Sequence, residues 1–466
     1  MLNLSRSTAT VRHTTRRLPV TAGWPLLGAL PALLRQPIAF LHTARRQYGD
    51  IYALRLGPFQ PIILNHPEHV QHVLRDNVRN YRKGGKLWDI IRDLLGNGLA
   101  VSEGDYWLRQ RRMLQPHFHR QRLAALTTLM TEAIDEGLTG WATHNGDSFD
   151  LEKALAAITL KVITKTMFGS GLSQAEIDQV AGAMPIIGRY VLSGVVTRSL
   201  PRWLPIRSGE RFRQACRAVD TVLYNVIARG RQALAEGRYE DNLLAMLLNM
   251  VDDESGERMT DQQVHDEAIT IFMAGYDTTA MGLTWTLHLL LQHPEALARL
   301  QAEIDQVLAG RTPTFADLPQ LPYARMVFQE ALRLYPPVAW LPRTAIADDV
   351  IDGFPIPAGA TVVLPIYIIQ QHPAFWSDAA VFRPERFAPT EAASSTSAQH
   401  PYAWLPFGAG PRLCMGREFA LMEGQLVLAM ALQRFRFTPV AERPVTPRLT
   451  MAMAPKDGVW VQAARR

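Results

Sequence analysis

The stretch PFGAGPRLCMGREFA, residues 406–420, sets Cys414 among Gly408, Gly410, Gly416 and Arg412, just ahead of a helical run. A free cysteine ordinarily packs as a small core hydrophobe; this setting is different. Glycines on both sides leave backbone N–H groups free to point at sulfur. The following helix offers its positive end, and Arg412 adds a cation. These surroundings stabilise a thiolate. The other cysteine, Cys216, is remote, and no histidine lies close by in sequence, so zinc and iron–sulfur ligation are not served. A single axial thiolate on haem iron is.

Three further groups break local rules. In DQQVHDEAITIFMAGYDTTAMGLTWTLHLLLQH, 261–293, the run Ala274-Gly275-Tyr276-Asp277-Thr278-Thr279 interrupts a long apolar helix pattern. Glycine costs about 1 kcal/mol in a helix interior, and Asp and Thr compete with the backbone for hydrogen bonds. Small residues let a ligand approach the backbone, and an acid beside a hydroxyl moves protons. Glu330 and Arg333 share a helix face at i, i+3 with apolar flanks that bury them. A buried pair needs further hydrogen bonds, and Arg386 in FRPERF offers a planar fork for the carboxylate. Trp107 and Arg111, four apart, present an indole N–H and a guanidinium to an anion. Taken singly, each has a plainer reading: a surface-facing polar turn, a surface ion pair, an exposed basic helix.

Positioning these groups takes a helix-dominated frame. From about Pro37 the pattern is helical, then DIYALRLGPFQPIILN alternates as two short strands. Residues of about 105–310 are mostly amphipathic helix. After Pro322 come another helix, the Pro-rich turn LYPPVAWLPR and strand-like runs such as ATVVLPI. The predicted class is mainly α with small β-sheets (α+β). Residues 389–401 read as an exposed low-complexity loop. No P-loop or dinucleotide fingerprint occurs. With 466 residues, 47% hydrophobic and without linker or repeat, one large domain over 21–466 is expected behind a flexible basic leader, 1–20. The start has no acid before Asp50, a composition also found in organelle transit peptides. The net charge of +6 favours an acidic partner protein but is too dispersed for nucleic acid. The most apolar early stretch is cut by Pro25, Pro31, Arg35 and Pro37, short of a membrane span. Two distant cysteines fit a reducing compartment, the cytoplasm.

Phe407-x-x-Gly410-x-Arg412-x-Cys414-x-Gly416 resembles the haem-binding loop of the cytochromes P-450. Ala274-Gly275-x-Asp277-Thr278-Thr279 is similar to that family's oxygen-activating helix. Glu330-x-x-Arg333 with PERF resembles its Glu–Arg–Arg lock, and Trp107-x-x-x-Arg111 its haem-propionate helix. The four occur in family order, and the similarity runs from about Trp24 to Phe437. Their coincidence displaces the plainer readings.

The resemblance implies a single-domain P-450 fold and haem b (iron protoporphyrin IX) ligated by Cys414. Phe407 would pack beside the sulfur, and Gly416 would let the next helix approach. Trp107, Arg111, Arg343 and Arg412 would bind the haem propionates. Thr278 and Asp277 would serve dioxygen and its protons, in a groove opened by Ala274 and Gly275; Glu330, Arg333 and Arg386 would be structural. The implied reaction inserts one oxygen atom of O₂ into a substrate. The segment after Cys414 is too short for a fused reductase, so a ferredoxin or flavodoxin with its NAD(P)H reductase is implied. Family position gives a pocket lined by Leu87, Trp88, Ile91, Leu95, Phe272, Val338, Trp340, Leu341, Met451 and Met453. An apolar lining takes a hydrophobic small molecule, of terpenoid or fatty-acyl type. Arg82 and Lys83 stand where either a fatty-acid carboxylate or a haem propionate would meet them. A haem-thiolate peroxygenase or isomerase, or a non-catalytic haem sensor, is the alternative, and the Asp277–Thr278 pair speaks against each.

Overall fold

The computed structural model describes residues 16–141, 146–197, 208–238, 241–389, 400–450 and 452–466. Most of the leader, residues 390–399 of the low-complexity loop and Met451 lie outside the described residues.

The chain opens with α1 (Leu30–Arg35), α2 (Pro37–Tyr48), α3 (Pro67–Gln71), α4 (Lys86–Leu95) and α5 (Gly104–Leu114). The helical middle follows as α6 (Arg120–Trp141), α7 (Leu151–Phe168), α8 (Gln174–Thr197), α9 (Ser208–Ala235) and α10 (Leu243–Asn249). Then come α11 (Asp261–Gln292), α12 (Pro294–Leu308), α13 (Pro322–Leu334), α14 (Ile366–Ile369) and α15 (Arg417–Arg434). The start of α11 is fixed by a reciprocal cap in which Thr260 and Gln263 satisfy each other's backbone N–H. Pro294 and Pro322 begin α12 and α13, where a missing N–H costs nothing. With 32 residues, α11 crosses the molecule and packs on α7, α9, α13 and α15. These helices bury one large apolar core that includes Leu155, Ile158, Val162, Leu283, Leu287, Val327, Phe328 and Leu426.

The main sheet has the order β1-β2-β8-β5-β3: β1 (Ile51–Ala53), β2 (Ile62–Leu64), β3 (Tyr81–Arg82), β5 (Trp340–Ala345) and β8 (Thr361–Pro365). Only β2 and β8 pair in parallel, with Ile62 opposite Val362. The antiparallel β3–β5 register sets Arg82 opposite Thr344, which brings the segment after β3 alongside Arg343. β4 (Ser148–Asp150), β9 (Phe435–Pro439) and β12 (Trp460–Arg465) form a second sheet, ordered β4-β12-β9. β6 (Asp349–Ile351) with β7 (Phe354–Ile356), and β10 (Pro447–Leu449) with β11 (Met453–Pro455), complete the strands as two short pairs. The mainly α class with small sheets is the observed one.

The Glu–Arg–Arg group is fully buried. Arg333 grips Glu330 through two bonds of 2.7 Å, and Arg386 Nε adds a third at 3.3 Å. Arg333 also donates to the carbonyls of Gln370, Ala379 and Val381, and its guanidinium lies 4.9 Å from the Trp376 ring. The triad thereby ties α13 to the 370–387 segment.

Candidate active site

Gly408 and Gly410 adopt φ of +68° and +67°, which other residues rarely tolerate. A Cβ at Gly410 would also come within 2.0 Å of the Leu74 carbonyl oxygen. The loop therefore needs glycine to fold back and start α15. The Cys414 N–H closes it on the Phe407 carbonyl at 2.9 Å, and Arg111 holds the Leu413 carbonyl at 2.9 Å. Phe407 packs edge-to-face on Trp404 at 5.9 Å. Cys414 keeps accessible surface although the chain encloses it, so its sulfur faces an internal space. Burial raises the thiol pKa first of all; the Gly416 N–H and the charges of Arg111 and Arg417 oppose it. A Cβ at Gly416 would be in ordinary contact with the sulfur, at 3.9 Å.

On another wall of the site, buried cations converge. Lys83 Nζ donates to the Ala100 carbonyl at 2.6 Å and sits near Arg343 and Arg412. Burial, and then these two guanidiniums, press its pKa far down. Burial likewise lowers Arg343 and Arg412 to about 10 each. Arg412 binds Glu103 at 2.6 Å and stacks 3.7 Å over the Trp107 ring. Glu103 is the one carboxylate facing these three cations among the described residues. The basic side chains here outnumber the acid that faces them, and haem b carries two carboxylates. The indole N–H of Trp88 is buried beside Lys83 and Arg343 with no acceptor. The donor set fits the propionate end of haem b, and the enclosed thiol fits its iron.

Sequence reasoning drew Trp107, Arg111, Arg343 and Arg412 together, and they do meet here, with different tasks. Trp107 supports Arg412, while Arg111 braces the cysteine loop. Lys83 sides with this cluster, whereas Arg82 is exposed. Trp88, expected as a pocket wall, sets its ring against Lys83 and Arg343 of the cation cluster. Glu103 was missed; its signal was an acid directly before the Trp107 helix.

On α11, Thr278 Oγ1 donates to the Ala274 carbonyl at 2.7 Å and Thr279 Oγ1 to the Gly275 carbonyl at 3.1 Å. The Thr159 hydroxyl takes the next carbonyl, that of Tyr276, at 2.9 Å. Three successive carbonyls thus receive hydroxyl bonds, the pattern that bends helices. Ala274 and Asp277 keep accessible surface in mid-helix, and Thr278 does so in part. Burial raises the Asp277 pKa.

Two expectations are corrected on this helix. Phe272 packs on Phe168 at 6.1 Å and lines a small apolar pocket with Val180, Val219 and Leu223, away from Ala274. Gly275 faces the same way: a Cβ there would meet Ile163 of α7 at 2.8 Å. Its smallness serves helix packing, and the groove rests on Ala274. The reason is the 3.6-residue period, which separates 272, 275, 276 and 279 from 274 and 278.

Leu87 and Ile91 are half-buried on α4, and Leu95 is buried. Val338 is 37% exposed and bridges Ala452. Leu341 lies 3.8 Å from the Cβ position of Gly408, beside the cysteine loop, and Trp340 Nε1 donates to the Thr450 carbonyl at 2.6 Å. Met453 has no exposed surface and packs with Leu41, Trp285 and Leu449, so it is core and not pocket wall. Met451 lies outside the described residues. Above the site, α11 holds the loop that follows α4. Asp266 accepts the Asn97 N–H at 2.8 Å, and Glu267 accepts that of Leu99 at 3.1 Å.

The family model "Cytochrome P450" matches residues 18–461. The chain belongs to this family. Among its relatives is cyclooctat-9-en-7-ol 5-monooxygenase of Streptomyces melanosporofaciens, 35% identical over 421 residues, covering 89% of this chain and 88% of that one. Pentalenene oxygenase of Streptomyces avermitilis is 34% identical over 424 residues, covering 91% and 92%. A solved cytochrome P450DA haem domain superposes with a TM-score of 0.87 at 26% identity, over 97% and 98% of the two chains. This P-450 is an oxidoreductase of the monooxygenase family that carries haem b. No helix among the described residues is long and apolar enough to cross a membrane.

Proposed function

We propose that this P-450 hydroxylates a hydrophobic, terpenoid-type substrate with electrons from a separate ferredoxin or flavodoxin. The apolar lining carries the reading. Leu87, Ile91, Leu95 and Leu341 supply hydrocarbon, and a polar ligand there would lose hydration without regaining partners. The names of two relatives, an alkenol monooxygenase and an oxygenase of pentalenene, agree with such a ligand. Bound haem b supplies oxygen activation.

The chain's own residues do the rest. Cys414 would provide the thiolate, while Lys83, Arg343, Arg412 and Trp88 would hold the propionates. Thr278 presents a hydroxyl, now back-bonded to Ala274, to the space where dioxygen is handled. Asp277, whose pKa burial raises, takes up a proton more readily than an exposed aspartate and hands it on. That pair favours oxygen insertion over isomerase, peroxygenase or sensor roles. Arg75 and Arg417, exposed around the cysteine loop, form the landing area for an acidic redox partner.

Spectral titration tests the substrate class. Sesquiterpenes, diterpenes, steroids and fatty acids are added to the ferric protein side by side, and a high-spin Soret shift with terpenes is expected. A shift with sugar- or peptide-type compounds alone would overturn the assignment. Cys414→Ser should abolish the red-shifted band of the reduced carbon-monoxide complex, and Cys216→Ser should keep it.

A further inference from the structure

Nine residues beyond Cys414, on α15, Glu423 is 99% buried, and neither carboxylate oxygen has a hydrogen-bond partner. Its neighbours Met422, Leu426 and Val427 are core residues, and Gly424 lies against Phe328. The polar group it faces is the Thr279 hydroxyl of α11. The Thr279 proton already goes to the Gly275 carbonyl, so that hydroxyl has only lone pairs left for Glu423. A carboxylate accepts and cannot donate, and an unpaired buried carboxylate is prohibitively costly. A carboxylic acid resolves both problems at once.

We propose that Glu423 is a positioning residue: as a neutral acid it donates to Thr279 Oγ1, which donates to the Gly275 carbonyl. The relay joins the helix behind the cysteine ligand to the Ala274–Thr279 segment of the oxygen helix. Burial drives the Glu423 pKa well above the ordinary carboxylate range, and no charged group adds to the shift. With the Gly275 carbonyl held on the α7 side, the neighbouring Ala274 carbonyl stays engaged with Thr278 on the site side. The geometry of the Ala274–Thr279 segment is then fixed from behind. The proposed role in coupling rests on the assignment of Thr278 to dioxygen; the protonation state does not.

Two measurements test it. Infrared difference spectra of the holoprotein at neutral pH, wild type against Glu423→Gln, should show a carboxylic-acid carbonyl stretch that is lost in the variant and shifts in D₂O. Absence of that band overturns the proposal whatever the activity. The second is product formed per NAD(P)H consumed with a surrogate redox pair. Glu423→Leu should lower it by roughly two- to fivefold, the size of a lost hydrogen bond. Glu423→Gln, whose amide can still donate, should restore most of it. Thr279→Val should match Glu423→Leu, and the double variant should be no worse than either, because the residues act in one chain. If the infrared band is present but Glu423→Leu couples like wild type, the positioning role falls. A fall in thermal stability in Leu and Gln variants alike, with coupling unchanged, also removes it.

Discussion

Glu330 with its two arginines, and Lys83 with Arg343 and Arg412, are both buried groups of charge, yet only the first is satisfied from within the chain. Arg333 donates five hydrogen bonds to chain acceptors. Arg343 donates one among the described residues, to its neighbour's carbonyl. The fold supplies carbonyls and a carboxylate around Arg333, and a single neighbouring carbonyl to Arg343 among the described residues. Buried charge answered by the chain is structure; buried charge that the chain leaves unanswered is a binding site.

The largest expected effect is on the first cluster. Glu330→Ala strands two buried guanidiniums and should cost about 3–5 kcal/mol. Little soluble haem-loaded protein should remain, and thermal unfolding of what does remain checks the size. Wild-type stability would mean that the two clusters do not differ as described.

Lys83→Met and Arg343→Met should behave in the opposite sense. Each removes a buried cation for which no ion pair is found among the described residues, so the haem-free protein should keep or gain stability. Haem retention should fall by about 10- to 100-fold, the worth of one charge-assisted bond. Transfer of haem to an acceptor apoprotein measures it. Destabilisation of the haem-free form to the extent seen for Glu330→Ala would erase the distinction.

A third charged group adds pH to the comparison. His265 of α11 is buried between Asp220 at 3.0 Å and Asp266 at 3.1 Å. Burial opposes its charge, but the bonds to both aspartates prevail and raise its pKa to about 9. The folded value lies above the ordinary histidine value of about 6.5. Its stabilisation is therefore complete below about pH 6.5 and is lost as pH rises through about 9. Unfolding midpoints should decline across that window by about 1–3 kcal/mol, and His265→Gln should flatten the decline.

The smallest effect belongs to Arg299–Glu385, a 2.6 Å pair one residue from Arg386 but largely exposed. Arg299→Ala should change stability by less than about 1 kcal/mol. Next to Glu330→Ala it separates burial from mere pairing.

Fixed spacings made much of the site legible. The cysteine loop, the Trp107–Arg111 helix and Glu330–Arg333 are local patterns whose chemistry shows in residue order, and apolar flanks correctly placed Glu330 in the interior. What escaped was assembled across the fold. Lys83 was named as a possible propionate partner, but Trp88 and Glu103 join it and Arg343 in one cluster only because β3 pairs with β5, a register no local pattern encodes. Phe272 and Gly275 were legible in principle, since a helical period already puts them off the Ala274–Thr278 face. Met453 was not, because its burial depends on α2 and Trp285 arriving from far away in sequence.

The two bonds from Asp266 and Glu267 to the 97–99 loop have a mechanical consequence. They anchor the 97–99 loop to the same helix that carries Thr278, about 17 Å further along. A helix is stiff along its axis, so displacing that loop either breaks the two bonds or pulls on the helix. The position of the 97–99 loop and that of Thr278 are thus mechanically linked through one element.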